Sequence, residues 1–107
     1  MGLYRNLNIT KVNRKKHFVF IYGIKDKAAN SIIYVGSAIE PIERFYRHTG
    51  RQGNYYNMDV VIYLFEMTQR EERYSRECYW LTKMVERGEP VRNIRMPKDR
   101  YKNRKSN

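Results

Sequence analysis

Phe18-Val19-Phe20-Ile21-Tyr22-Gly23-Ile24 is a continuous apolar, aromatic-rich run. Short and unbroken, it reads as a strand buried on both faces. Lys25–Ser31 is a polar connection, and Ser31-Ile32-Ile33-Tyr34-Val35-Gly36 reads as a second strand. A link this short favours antiparallel pairing, because a parallel crossover needs a dozen or more residues. Downstream, Pro41 suits the first turn of a helix in which Ile42, Phe45 and Tyr46 recur at helical spacing and which Gly50 ends. Asn57–Phe65 reads as a third strand. Thr68 with Glu71 three later forms a capping-box pattern, opening a helix that runs to about Arg87 and stops at Gly88 and Pro90. The expectation is an α/β (α+β) fold: a small three-stranded, mainly antiparallel sheet flanked by helices, in the order β-β-α-β-α.

The 107 residues suffice for one small domain, and 41% apolar and 14% aromatic content can supply its core. No apolar run approaches the roughly 18 residues of a membrane span, so no membrane partner is expected, and Met1–Thr10 lacks the apolar region of a signal peptide. The single cysteine, Cys78, excludes an intrachain disulfide and a cysteine-cluster zinc site. It fits a reducing compartment such as the cytoplasm. The net charge is +11, and its placement is informative. Residues 1–17 carry +5 and residues 92–107 carry +6, while 18–91 hold ten basic and ten acidic residues. A neutral body with two basic ends suggests a folded unit, 18–96, between a basic N-terminal arm, 1–17, and a basic C-terminal tail, 97–107, that meet a polyanion. Solubility alone is the plainer explanation of such tails.

Several residues sit awkwardly in an ordinary core. Tyr22 and Tyr34 lie near the ends of neighbouring strands, each close to a glycine (Gly23, Gly36), and glycine in a strand often marks close approach of another group. Tyrosine is also simply a good strand residue. Arg44 and His48, four apart, share one helical face; an arginine fork fits a phosphate and a histidine moves protons near neutrality, although a solvated polar stripe has the same spacing. Glu77 lies on or beside the apolar stripe Tyr74, Cys78, Leu81, Met84 and Val85. Burying its charge costs on the order of several kcal/mol unless a divalent cation or an arginine compensates. Asn93 follows Pro90 where the chain leaves the helix, a place that a turn residue would also suit.

In this order the residues resemble the GIY-YIG nuclease family. Phe20-Ile21-Tyr22 stands for its first element and Tyr34-Val35-Gly36-Ser37 for its second, with Phe20 in place of the first glycine and Val35 in place of an isoleucine. Arg44 and His48 follow in Arg-Phe-Tyr-Arg-His, then Glu77 in Glu-Cys-Tyr-Trp-Leu, then Asn93 in Arg-Asn-Ile. Glu71 and Glu72 are nearby, and Glu77 is preferred on helical register and on the following Trp80-Leu81. The resemblance implies a Mg²⁺-dependent endonuclease (Mn²⁺ substituting) that hydrolyses DNA phosphodiesters, double-stranded DNA being the expected partner. The implied site is Tyr22, Tyr34, Arg44, His48, Glu77 and Asn93. Within it Glu77 is the metal ligand, Arg44 the phosphate holder, Tyr22 the base with His48 as relay, Tyr34 a phosphate-positioning or leaving-group residue, and Asn93 an orienting residue. The identity of the base, Tyr22 or His48, stays open at this point. Candidate DNA contacts are Lys15, Lys16, Arg47, Arg51, Arg95, Lys98, Arg100, Lys102, Arg104 and Lys105. With the catalytic-type module filling the chain, specificity is expected from structure, self-association or a targeting partner, and a small free-standing nuclease suits a phage or mobile element. The rival expectations are an inactive nucleic-acid binder of the same fold, whose tyrosines stack on bases, and a basic RNA-associated structural protein.

Overall fold

The computed structural model describes residues 18–93. The two basic arms, with Lys15, Lys16, Lys98, Arg100, Lys102, Arg104 and Lys105, lie outside the described residues, as does Arg95. The elements follow the expected order: β1 (Phe18–Asp26), β2 (Ser31–Ala38), α1 (Pro41–Thr49), β3 (Val60–Gln69) and α2 (Arg73–Glu86), the last entered through a 3₁₀ turn at Arg70–Glu72. The sheet is antiparallel throughout, in the order β2-β1-β3. The apolar run of β1 is central because it must be covered on both faces. Asp26 closes the β1–β2 hairpin by accepting hydrogen bonds from the Ala28 and Ala29 amides, and Asn30 supplies a left-handed residue, φ 57°.

Two register shifts shape the sheet. Against β1, the pairing jumps from Ile24–Tyr34 to Lys25–Ile32, leaving Ile33 as an extra residue in β2. The bulge sends Ile32 to the α2 side and Tyr34 to the other, where simple alternation would have put both together. On β3 the jump from Ile21–Glu66 to Tyr22–Leu64 leaves Phe65 as the extra residue. The α2 face gathers Val19, Ile21, Ile32, Val35 and Phe65 with Leu81 and Met84. The opposite face gathers Tyr22, Ile24, Ile33 and Leu64 with Tyr55 of the 50–59 loop and with Phe45 of α1.

Several sequence expectations are corrected. The third strand begins at Val60, not Asn57, because Asn57 takes a left-handed turn conformation, φ 66°, and the Met58 amide bonds back to Tyr55. It runs on to Gln69, polar residues continuing the ladder opposite Phe18–Ile21. The capping box does not form. Thr68 is buried in β3 and its hydroxyl donates to Glu72, while α2 opens without a side-chain cap. On α1, Ile42 and Tyr46 face outward. The inner face carries Pro41, Arg44, Phe45 and His48. On α2, Tyr74 and Val85 are exposed, and the buried residues are Glu77, Leu81 and Met84. The end of α2 is as expected, with Gly88 left-handed at φ 83°, its amide on the Val85 carbonyl and the Glu89 amide on Met84.

Glu66 holds α2 onto the sheet edge. Its carboxylate accepts from Arg76 Nε and Nη2 (2.7 Å at the closest) and from the Trp80 indole N–H at 2.6 Å, and the Trp80 ring stacks on Phe65 at 4.7 Å. Partial burial alone would raise this carboxyl. The hydrogen bonds from Arg76 and Trp80 and the Arg76 charge outweigh it and hold the group below the ordinary glutamate range. Since the folded value is lowered, the contribution to stability is present above the unfolded glutamate range and is lost as pH falls through the folded value. Glu66→Ala is expected to cost about 1–2 kcal/mol at neutral pH, allowing for the pair's partial exposure, and the penalty should shrink on acidification. Urea melts of both proteins at pH 7 and pH 3 measure it; an equal penalty at both pH values would remove the role given to this pair.

Candidate active site

The bulge at Ile33 and the strand register bring Tyr22 and Tyr34 to the same face, either side of Gly36. Tyr22 is the cross-strand partner of Gly36, and a Cβ built on Gly36 would lie 2.7 Å from the Tyr34 ring and 3.0 Å from each tyrosine hydroxyl. Gly36 is therefore the gap into which two phenols converge. Gly23, by contrast, makes room on the other face for Phe65, whose ring would come within 2.6 Å of a Cβ. α1 brings His48 down on the pair. The Tyr22 hydroxyl and His48 Nε2 share a 2.9 Å hydrogen bond, and the Tyr34 and His48 rings lie 4.8 Å apart. Gly36→Ala is expected to push the two hydroxyls apart, costing about 1–3 kcal/mol of stability by overpacking, and to lower any catalytic rate of the folded protein by about 10-fold or more, since misplacement by an ångström can cost still more. Single-turnover rates beside thermal melts check it, and an unimpaired rate would contradict this geometry.

Tyr22 is fully buried, and its hydroxyl is pushed well above the ordinary tyrosine value. Burial is the main cause, Tyr34 and Glu77 add to it, and Arg44 pulls the other way without prevailing. The Arg44 charge by itself does not offset the burial of Tyr22. Both Arg44 and Glu77 nonetheless lie within electrostatic reach of the Tyr22 oxygen.

Glu77 enters from the α2 side. It is fully buried, and its Oε1 accepts a 2.7 Å hydrogen bond from Ser37 Oγ. Ser37 in turn accepts from Arg73: Nε to Oγ at 2.7 Å and Nη2 to the carbonyl oxygen at 3.0 Å. The expected single pocket is thus built in two halves, phenols and imidazole on one face of the sheet and carboxylate on the other. Glu77 and Arg44 both act electrostatically on Tyr22, and beside Arg44, beyond the end of β2, a cleft of about 220 Å³ is lined by Ala38, Ile39, Glu40, Glu43, Arg44, Arg47 and Arg73.

Asn93 stands at the outer edge of β2. Its amide pairs with both backbone groups of Val35, accepting from N–H at 3.1 Å and donating to the carbonyl at 2.8 Å. The Arg92 amide donates to Ile33, and Glu89 accepts from the Ile32 amide. Residues 89–93 therefore clamp the strand that carries Tyr34 and Gly36. Arg47 and Arg51 are exposed on α1 and just beyond it, with Arg47 3.7 Å from Glu43.

Three participants escape sequence reasoning. Tyr55 packs 6.2 Å from Tyr34 and 5.8 Å from His48, and its amide bonds the His48 carbonyl. It comes from a polar loop that gives no sign of a buried ring. That loop closes on α1 because residue 53 is glycine; a Cβ there would overlap the His48 carbonyl oxygen. Ser37 and Arg73 are the other two. Ser37 was visible only as the residue after Gly36, and Arg73 as one charge among several.

Among the described residues no group of three His, Cys, Asp or Glu side chains could hold a metal. Glu77 alone still suits a hard cation such as Mg²⁺, which takes one or two carboxylates and fills its remaining positions with water and phosphate oxygen. The Glu77 Oε1 accepts from Ser37, which fixes the orientation of a carboxylate that is fully buried.

No curated protein and no solved structure matches the chain. The model of the GIY-YIG catalytic domain matches residues 18–87, which spans both tyrosines, Arg44, His48 and Glu77 and stops short of Asn93. With about two thirds of its length matched, the chain belongs to the GIY-YIG catalytic domain family, whose activity is of the nuclease type.

Proposed function

We propose that the chain is a Mg²⁺-dependent DNA endonuclease that hydrolyses one phosphodiester at a time at the end of β2. The observation that carries this reading is the hydrogen bond between the Tyr22 hydroxyl and His48 Nε2 at Gly36, with a buried carboxylate and an arginine close enough to act on the same phenol. A pure nucleic-acid binder has no use for a carboxylate beside a phosphate.

A phosphodiester repels nucleophiles, and its transition state gathers charge on the phosphoryl oxygens. Arg44 binds the scissile phosphate and meets that charge with a planar fork of donors. A divalent cation held by Glu77 would supply further positive charge and a more acidic water. The upward push on Tyr22 dictates how the proton moves. A standing phenolate is unfavourable at neutral pH, so Tyr22 acts as a base only in a coupled transfer: its proton goes to His48 Nε2 as its oxygen takes one from the attacking water. The water oxygen bonds to phosphorus, one P–O ester bond breaks, and the departing sugar oxygen takes a proton from solvent water, His48 later returning its own to solvent. Tyr34 positions a phosphate oxygen beside Gly36. Asn93 keeps β2, and so Tyr34, in place through Val35. Arg47 and Arg51 face the flanking backbone, and the basic arms extend that contact; two copies or a targeting partner supply specificity.

Supercoiled plasmid incubated with Mg²⁺ should be nicked, and EDTA should stop it. Arg44→Ala should lower the rate by at least about 10²-fold, the usual effect of losing one charge-stabilising donor. Intact plasmid in Mg²⁺ together with tight DNA binding would make the chain a binder of the same fold.

A further inference from the structure

Arg73 stands where helix electrostatics disfavours it. It is the first residue of α2, whose first turn contains no acid, and a cation there meets the positive end of the helix dipole. The side chain is nevertheless fixed, Nε and Nη2 both engaged by Ser37 at 2.7 and 3.0 Å. So held, it lines a cleft that Arg44 and Arg47 of α1 line as well. The lining's three guanidiniums against two carboxylates, Glu40 and Glu43, leave it net positive. Through Ser37 this cleft is one side chain away from the Glu77 carboxylate. Burial of Glu77 explains a cation near Ser37, but not the assembly of two further arginines, from another helix, around the same opening.

We propose that this cleft seats the phosphate next to the scissile one, with Arg73 as its anchor and Ser37 as the brace that aims the guanidinium. The inference rests on the nuclease reading and deepens it: Arg44 takes the scissile phosphate and Arg73 its neighbour, so a strand is held at two successive charges and cannot slide past the reacting atoms.

The test has two arms. In the first, binding of a duplex oligonucleotide is followed by fluorescence anisotropy in EDTA across a range of NaCl. Arg73→Met, which keeps the stem and removes the charge, should bind about 10-fold more weakly at low salt, and the slope of log affinity against log salt should flatten by about 0.9. Arg73→Lys should restore the slope without full affinity. In the second arm, wild-type protein cuts duplexes in which a single phosphate flanking the cut is replaced by an uncharged methylphosphonate. One flanking position should slow wild type about 10-fold and leave Arg73→Met no slower than on its unmodified substrate. This arm uses wild type first, so a folding defect in the variant cannot mimic the result. An unchanged salt slope for Arg73→Met, or wild-type cleavage indifferent to every flanking substitution, overturns the proposal while the nuclease reading stands. A flattened slope in a protein that does not cut retains the phosphate seat and sinks the nuclease reading.

Discussion

Glu77→Gln is expected to abolish cleavage in Mg²⁺, a loss of about 10³-fold or more, with DNA affinity in EDTA close to wild type. Glutamine keeps the shape and still offers Ser37 an acceptor oxygen, so the 2.7 Å hydrogen bond and the packing beneath α2 can persist. What it removes is the negative charge. That separation matters because Glu77 is fully buried, and a truncation to alanine would also open a cavity against Leu81 and Met84 of the same helix face. Plasmid nicking at a range of Mg²⁺ concentrations, beside anisotropy and thermal melts, reads the three effects apart. A Glu77→Gln protein that cuts normally would show that the buried carboxylate serves only the fold.

Tyr22→Phe deletes one oxygen and leaves the ring in the core, with a stability cost of about 1 kcal/mol for the lost hydrogen bond to His48. Its expected effect on cleavage is far larger, about 10²–10⁴-fold, the range for a positioned proton acceptor. His48→Gln should fall by a comparable factor. Because the two groups move one proton in concert, the double variant should be little worse than either single one. Full multiplication of the two losses would contradict the coupled transfer.

Most of the fold is legible in the residues themselves. An apolar run covered on both sides demands a central strand, the short Lys25–Ser31 link demands a hairpin, and Pro41 and Gly88 sit where the helix ends need them. The helix faces differ from the expectation for one reason: apolar spacing does not by itself mark the inward side. Ile42 and Tyr46 have that spacing and point outward, because α1 lays its polar residues Arg44 and His48 against the sheet edge. On α2 a carboxylate occupies the centre of the buried face, where it accepts a hydrogen bond from Ser37 of β2. Such a partner, 40 positions away in the chain, leaves no local mark. The same holds for Tyr55 and Arg73, whose roles exist only once β2, α1 and the loop have closed together. The two bulges are likewise invisible to alternation, yet the one at Ile33 is what puts Tyr34 on the side of Tyr22.

The account stands on two halves of one site meeting across the end of β2. Anomalous scattering from Mn²⁺ in crystals of the Tyr22→Phe protein bound to uncut duplex DNA tests this most directly. The predicted result is one manganese peak at the Glu77 carboxylate, touching the same phosphate that Arg44 holds and that residue 22 faces. A metal bound elsewhere, or a phosphate seated away from residue 22, would contradict it.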